Sequence, residues 1–198
     1  RGLEEYCFNI VTTVFDFRNE KENPGHPWAI GESEDTYRYI DLLIVDWVEA
    51  MKMTGSSNIT GATYYFKAHG VSSFIITNGP DNFYAWSSGR SMQQLDLSSL
   101  PVSKAIDDDL KEHPEWRGDN IGCGDNFCGG VVAGICEQIK NNPEAFPDLL
   151  DACAWGAAAA GCALIRTGPV GLEQKPGAER AQIEPYYQSY LRQIGRKR

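Results

Sequence analysis

The chain has 198 residues, and its 27 acidic and 18 basic side chains give a formal net charge of −9. This length supplies one globular domain with a buried core, and 42% hydrophobic with 23% charged residues excludes a disordered or fibrous protein. The acidic balance also argues against a nucleic-acid binder, because binding to phosphates requires clustered positive charge. We therefore expect a single domain over residues 1–198 without a nucleic-acid partner.

The first half of the chain alternates between strand-like and helix-like segments. β-branched, aromatic and continuous apolar runs predict strands, and apolar residues at helical spacing predict helices. The predicted strands are 6–17, 42–45, 71–77 and 83–86. The predicted helices are a short one from Ser33 and two longer ones over 48–54 and 58–68. The last two strands form a hairpin around the turn 78–81.

The second half is predicted to be mainly helical. The stretch 98–121 is polar and is predicted to be irregular, with its acidic run as a solvated face. Helices follow over 124–140 and 147–166, with a terminal one near 184–194. Alternating strands and helices predict an α/β fold with a mostly parallel sheet. Ligands of such sheets bind beyond the carboxyl ends of the strands, here the loops after residues 17, 45 and 77.

Neither the apolar segments nor the cysteines indicate a membrane span or a metal site. The longest apolar stretch, 152–165, has 14 residues and contains two glycines, whereas a membrane span needs about 20 residues. No Cys-x-x-Cys pair occurs, and Cys128, Cys136, Cys153 and Cys162 lie in apolar helical patterns. Reduced, buried thiols are therefore expected rather than zinc ligands or disulfides. Together with acidic first residues that do not form a signal peptide, these features predict a cytoplasmic protein without a membrane partner.

A glycine-rich turn precedes the first of the long helices. An apolar residue every four positions predicts a buried helical stripe, in a helix that begins near Gly124. The stripe consists of Phe127, Val131, Ile135 and Ile139. The first N–H groups of a helix lack internal partners and carry the positive end of its dipole. Glycines at 122 and 124 let a phosphate approach these groups, which predicts an anion site.

Asp125 lies in the first turn of that predicted helix, next to the anion site. A carboxylate there can cap the helix by accepting an N–H hydrogen bond. It can also act as a general base that takes a proton from a hydroxyl while the turn holds a phosphoryl group. The residue types alone leave both interpretations open.

The motif Asp119-x-x-Gly122-x-Gly124-Asp125-x-Phe127-x-Gly129-Gly130 resembles the second signature of the ribokinase-like (PfkB) carbohydrate kinases, Asp-Thr-x-Gly-Ala-Gly-Asp-x-Phe-x-Gly-Gly. Three other segments resemble that family in the same order. Residues 41–55 are similar to its Asn-x-x-Glu-Ala … Thr-Gly segment, 71–79 to its strand ending in Thr-x-Gly, and 152–165 to its alanine-rich helix beside the adenine. The resemblance extends from about residue 6 to 195.

The resemblance implies a layered α/β/α sandwich around a mostly parallel sheet, and transfer of the ATP γ-phosphoryl group to a sugar-type hydroxyl. Asp125 would be the catalytic base, and the N–H groups of Gly122, Cys123 and Gly124 would stabilise charge on the transferred group. Glu49 would organise Mg²⁺. Thr77, Gly79, Asp119 and Ala157 would join Gly122 and Gly124 at the nucleotide. Some family members bind a monovalent cation near the segment that corresponds to 166–169, for which we assign no ligands.

Several positions depart from the family pattern. Asp46 replaces the asparagine of Asn-x-x-Glu, Asn82 replaces the second glycine after Thr-x-Gly, and Cys123 replaces the alanine between two glycines. Residues 16–19 only approximate the family's Asp-x-Asn-x-Arg.

The first strands, the sugar-binding glycine pair and the β lid of complete family members have no counterpart in this sequence. The chain also begins without methionine, so we expect it to be the C-terminal part of a longer kinase. Its expected partners are a sugar acceptor and either a second copy in a homodimer or the missing N-terminal half. The alternative is a non-catalytic or truncated nucleotide-binding relative.

Overall fold

The computed structural model forms two compact units, Arg1–Leu100 and Pro101–Arg198. Each unit has its own helices and buried residues. The prediction of one domain over 1–198 stays a prediction. The residues that the structure describes are 7–12, 17–28, 30–165 and 175–196.

The first unit is built on a five-stranded sheet. Its strands are β1 (Ile10–Thr12), β2 (Leu42–Asp46), β3 (Ser73–Asn78), β4 (Asn82–Ser87) and β5 (Leu95–Pro101). They lie across the sheet in chain order. β1, β2 and β3 are parallel, and β4 returns antiparallel to β3. The predicted α/β class, the parallel start of the sheet and the hairpin are therefore confirmed.

Helices lie between the strands of this unit along the chain. They are α1 (Phe17–Glu22), a 3₁₀ helix (Glu34–Tyr39), α2 (Trp47–Thr54) and α3 (Ile59–Ala68). Side chains that alternate along β2 and β3 share one core cluster with residues of α2 and α3. The members that belong to these four elements are Leu43, Val45, Ala50, Met53, Ala62, Phe66, Phe74 and Ile76. Leu42, Ile44 and Ile75 are also buried, so β2 and β3 are covered on both faces, as predicted.

The predicted strand over 6–17 is too long. Among the described residues of this segment, Ile10–Thr12 alone pair with β2, and Phe17 already belongs to α1. Charged residues dominate α1, and Arg18 forms an i,i+4 ion pair with Glu22 at 3.0 Å, an arrangement that supports a helix. Residues 13–16 lie outside the described part of the chain.

The second unit is helical. Its elements are α4 (Lys104–Glu112), a 3₁₀ helix (Pro114–Trp116), α5 (Cys123–Asn141), α6 (Leu149–Leu164) and α7 (Ala178–Gln193). The two long helices are thus confirmed. Among the described residues, none of the helices is both long enough and apolar enough to cross a membrane.

Two predictions for the second half are wrong. The stretch 98–121 is not irregular: it contains the end of β5, all of α4 and a 3₁₀ helix. Only Ile106 and Leu110 form the buried stripe of α4, so its apolar period is hidden by polar residues. The terminal helix starts at Ala178 rather than near 184, with Pro185 inside it.

Helices α5 and α6 approach each other closely because glycines lie at their contact. A Cβ added to Gly130 would lie 2.6 Å from the Trp155 carbonyl oxygen and 2.9 Å from the Gly156 Cα. A Cβ on Gly156 would in turn lie 2.7 Å from Val131 Cγ2. Such distances are shorter than atoms tolerate, so only glycine permits this spacing.

The predicted stripe of α5 is confirmed in part. Phe127, Val131 and Ile135 are buried, whereas Ile139 is 37% exposed. Gln138 already hydrogen-bonds to Asp148, the N-cap of α6, so Ile139 lies beyond the start of the covering helix.

The predicted burial of the helical cysteines is likewise only partly confirmed. Cys153 and Cys162 are buried, but Cys128 is only half-buried and Cys136 is exposed.

We expect Gly130→Ala to lower the free energy of unfolding by about 1–3 kcal/mol, because the added methyl overpacks the α5–α6 contact. Gly129→Ala is the matched control, since its Cβ would meet no atom within 4 Å. The control should keep or raise stability, because alanine is favoured over glycine in a helix by about 1 kcal/mol. Urea denaturation compares the two, and an equal loss in both would contradict the packing argument.

Candidate active site

Gly122 is the first residue of the candidate site in the second unit. It is the N-cap of α5 and has a φ of +80°, a left-handed conformation that residues with a Cβ rarely adopt. Its carbonyl oxygen accepts hydrogen bonds from the Asn126 N–H at 2.8 Å and from Asn126 Nδ2 at 2.9 Å. This double contact holds the glycine turn against the first turn of the helix. Asn126 was not singled out from the sequence, because an asparagine in a first turn has no distinctive pattern.

The backbone donors of this turn are largely unused. In the part of the chain that the structure describes, the N–H groups of Gly122, Gly124 and Asp125 have no acceptor, while the Cys123 N–H donates to the Asn120 oxygen at 3.3 Å. Unpaired donors at the positive end of a 19-residue helix are an arrangement that can bind an anion.

Gly124 leaves this site open. It is exposed, and an added Cβ would meet no atom within 4 Å. Packing therefore does not require glycine at this position, in contrast to Gly130. The absence of a side chain instead leaves the neighbouring N–H groups accessible to a ligand.

Asp125 is exposed and lies three residues after the N-cap. Its carboxylate accepts no hydrogen bond from any described residue, and α5 has no side-chain cap. The capping interpretation is therefore not what the geometry shows. The carboxylate instead remains available for a ligand, next to the unused N–H groups.

Asp119 and Cys123 shape the turn around these donors. Asp119 Oδ1 accepts a hydrogen bond from the Ile121 N–H at 3.0 Å, and the Gly118 N–H donates to the Leu164 oxygen at 2.8 Å. The turn is thereby attached to the end of α6. Burial, with the nearby charge of Asp119, raises the pKa of the Cys123 thiol, so this side chain stays neutral and poorly nucleophilic.

Ala157 lies on α6 and is buried, directly after Gly156 of the α5–α6 contact. Within the second unit, the structure therefore brings Asp119, Gly122, Cys123, Gly124 and Asp125 together at the start of α5. Ala157 lies on the neighbouring helix.

The predicted residues of the first unit meet at the carboxyl ends of β2 and β3. Asp46 and Thr77 are register partners in the parallel pair. Gly79 follows one residue after β3, with a φ of +58°. Glu49 lies in the first turn of α2, which begins directly after Asp46. This edge is where the topology predicts ligands to bind.

Asp46 and Glu49 form a reciprocal capping box. Asp46 Oδ1 accepts the Glu49 N–H at 2.7 Å, and Glu49 Oε2 accepts the Asp46 N–H at 3.0 Å. Glu49 is buried and Asp46 is exposed. The aspartate that replaces the family's asparagine thus has a clear local role, since either residue can cap a helix.

Carboxylate oxygens at this edge suit Mg²⁺, which prefers hard oxygen ligands. One oxygen of Asp46, Oδ2, has no hydrogen-bond partner among the described residues. No group of three or more His, Cys, Asp or Glu side chains that could hold a metal occurs in the described segments. The donor set therefore fits an ion that takes its other ligands from phosphates and water. Residues 166–169, the region of the expected monovalent cation, lie outside the described residues.

Several solved sugar kinases resemble this chain in structure. A ribokinase from Thermotoga maritima has a TM-score of 0.60 and 17% identity, covering 94% of this chain and 51% of its own. An Escherichia coli ribokinase-II-type protein with ATP and Mg²⁺ has a TM-score of 0.55 and 20% identity, covering 78% and 41%. A fructokinase from Vibrio cholerae with fructose, ADP and calcium has a TM-score of 0.53 and 15% identity, covering 75% and 42%. The chain has a ribokinase-like fold.

This ribokinase-like chain spans between 41% and 51% of the length of those three structures. At identities of 20% or less, the similarity establishes the fold. No family model matches the sequence, and no curated protein matches it. The resemblance inferred from the motifs is thus confirmed at the level of structure, while the roles of individual residues stay predictions.

We expect Asp46→Ala to lower the free energy of unfolding by about 1 kcal/mol, because α2 loses its capping oxygen. Asp46→Asn is the control, since it retains an oxygen that accepts the Glu49 N–H. It should keep wild-type stability in urea denaturation. If both variants lost the same stability, the negative charge rather than the cap would be responsible.

Proposed function

We propose that this chain supplies the catalytic turn for transfer of the ATP γ-phosphoryl group to a hydroxyl of a sugar or sugar-like acceptor. The observation that carries the proposal is the start of α5. There, unpaired N–H groups of Gly122 and Gly124 lie beside a carboxylate, Asp125, that has no hydrogen-bond partner among the described residues. Donors for a phosphoryl group and a proton acceptor for a hydroxyl are the two requirements of this reaction.

In the proposed step, an acceptor hydroxyl oxygen forms a bond to the γ-phosphorus while the bond to the β,γ-bridging oxygen breaks. The hydroxyl proton passes to Asp125, and ADP leaves with the bridging oxygen. The N–H groups of the turn stabilise negative charge on the transferred group, which is usually the largest catalytic contribution.

The nucleotide contacts are proposed from the family resemblance. We assign Thr77 and Gly79 to the phosphates and ribose, and Asp119 and Ala157 to further nucleotide contacts. Glu49, with Asp46, would hold or orient Mg²⁺, which neutralises phosphate charge when bound. The structural neighbours that contain ATP with Mg²⁺, or ADP with calcium, support a nucleotide and a cation.

The acceptor and the partners are likewise proposed from the family resemblance and the structural neighbours. The fructose in the Vibrio cholerae fructokinase supports a sugar-type acceptor. We propose that a second copy or a further half of the kinase completes the acceptor site, that a monovalent cation assists, and that the protein is cytoplasmic.

A non-catalytic nucleotide-binding relative is the second candidate. Asp46 and Asn82 favour it, because they replace an asparagine and a glycine of the family pattern. Asp46 adds negative charge at the edge proposed for phosphates. A protein of this kind would bind ATP without transferring its phosphoryl group.

Asp125→Asn separates these two candidates. In a kinase, it should lower sugar-dependent ATP consumption by about 10²–10⁴-fold, because the general base is lost. ATP affinity should change little. The assay measures ADP formation over a panel of sugars, and calorimetry measures ATP binding.

Asp107→Asn is the matched control for this experiment. Asp107 is also an exposed acid in the first turn of a helix, α4, and should be neutral in both assays. Wild-type protein that binds ATP without turnover on any sugar would favour the non-catalytic candidate.

Gly124→Ala tests the anion site itself. The added methyl faces open space, so folding should be unaffected, but it should hinder the phosphoryl group and lower turnover by about a hundred-fold. Gly129→Ala places a methyl in equally open space one and a half turns further along α5 and should retain activity. Equal turnover of the two variants would exclude the turn as the phosphoryl site.

A further inference from the structure

Asn82 lies where the family pattern has a glycine, and its side chain forms hydrogen bonds to two neighbouring strands. It is the first residue of β4 and the register partner of Asn78, the last residue of β3. The two asparagines therefore close the hairpin turn 79–81, directly beside the predicted nucleotide residues Thr77 and Gly79.

Three side chains form a continuous chain of hydrogen bonds across β3, β4 and β5. Asn78 Nδ2 donates to Asn82 Oδ1 at 3.0 Å, and Asn82 Nδ2 donates to Ser99 Oγ at 2.7 Å. Asn82 is the central member, since it alone contacts both of the others. We call this set, Asn78–Asn82–Ser99, the amide ladder. A glycine at position 82 cannot form it.

The backbone hydrogen bond inside the turn is long, and the side-chain hydrogen bonds add to the strand pairing that closes it. The hydrogen bond from the Asp81 N–H to the Asn78 oxygen is 3.3 Å long, beyond the usual range for N–H···O bonds. Gly79 adopts a left-handed φ, is exposed, and would meet nothing within 4 Å even with a Cβ. Among the described residues, no neighbour therefore packs where a Gly79 side chain would lie, and the amide ladder connects the two ends of the turn.

We propose that Asn82 is a positioning residue that holds the end of β3 and the following turn in the conformation that receives the nucleotide phosphates. It acts through Asn78 on the adjacent Thr77 and Gly79, and Ser99 attaches the ladder to the next strand. This role rests on the proposed function. The role also accounts for the absence of the family's glycine at position 82. Asn82 forms side-chain hydrogen bonds at this edge of the sheet that a glycine could not form.

Asn82→Ala on the 198-residue chain tests the role. It should raise the Kd for ATP by about three- to ten-fold, the value of one or two side-chain hydrogen bonds. It should also speed hydrogen exchange at the Gly79 and Asp81 amides without nucleotide. Ser99→Ala removes only the outer bond of the ladder, so its effect on both quantities should be in the same direction and smaller.

Ser87→Ala is the matched control. Ser87 is buried at the other end of the same hairpin, where its Oγ accepts a hydrogen bond from Ser73 Oγ at 3.0 Å. This variant should lower the melting temperature at least as much as Asn82→Ala while leaving the Kd for ATP unchanged. A loss of stability alone would therefore lower the melting temperature without raising the Kd for ATP.

The outcomes separate this role from the proposed function. Wild-type protein that binds ATP, with Asn82→Ala of equal affinity or with Ser87→Ala equally impaired, would overturn the positioning role and leave the kinase proposal intact. Unchanged amide exchange in Asn82→Ala would also overturn it, independently of nucleotide. Wild-type protein that does not bind ATP would overturn the proposed function and this role with it.

Discussion

The close contact of α5 and α6 is the constraint on which the candidate active site depends. Gly130 and Gly156 allow the two backbones to approach until an added Cβ would overlap the partner helix. This contact determines the axis of α5, and the axis determines where its first N–H groups point. Gln138 and Asp148 reinforce the pair near the other end of α5 through two hydrogen bonds. A helix dipole and the unpaired N–H groups of Gly122, Gly124 and Asp125 can act on a ligand only if the helix that carries them is held in place.

Aspartates at the starts of helices differ in whether they cap the helix. The one at the candidate active site does not. Asp46 caps α2, and Asp148 caps α6 by accepting the N–H groups of Leu150 and Asp151. Asp125 occupies a first turn whose cap is a glycine, and no described residue satisfies its oxygens. A helix that does not use its nearest acid leaves both the acid and its own donors available. That arrangement adds little to stability but suits a ligand that needs both.

Much of the fold could be predicted because the spacing of apolar residues along the chain indicates which side of a strand or helix is buried. The continuous apolar runs of β2 and β3 are typical of strands buried on both faces, and the four-residue spacing of Phe127, Val131 and Ile135 is typical of a helix with one buried face. The same rules failed where the pattern is sparse or interrupted. The buried face of α4 consists of only two apolar residues. Pro185 lies inside α7, and a proline there argues against a helix that starts before it. At the candidate site, the glycines and Asp125 were evident, but Asn126 and the amide ladder were not, since their partners are set by the fold.

The alternation of strands and helices, the glycine-rich turn and the family resemblance could all be read from the amino-acid sequence. Each of these depends on neighbours along the chain, which periodicity and composition record. Three features required the folded chain. Glu49 is buried in a capping box, Asp125 accepts no capping hydrogen bond from a described residue, and Asn82 bridges Asn78 and Ser99. The reason is that a hydrogen bond depends on a distance and an angle between atoms, and a linear pattern contains neither.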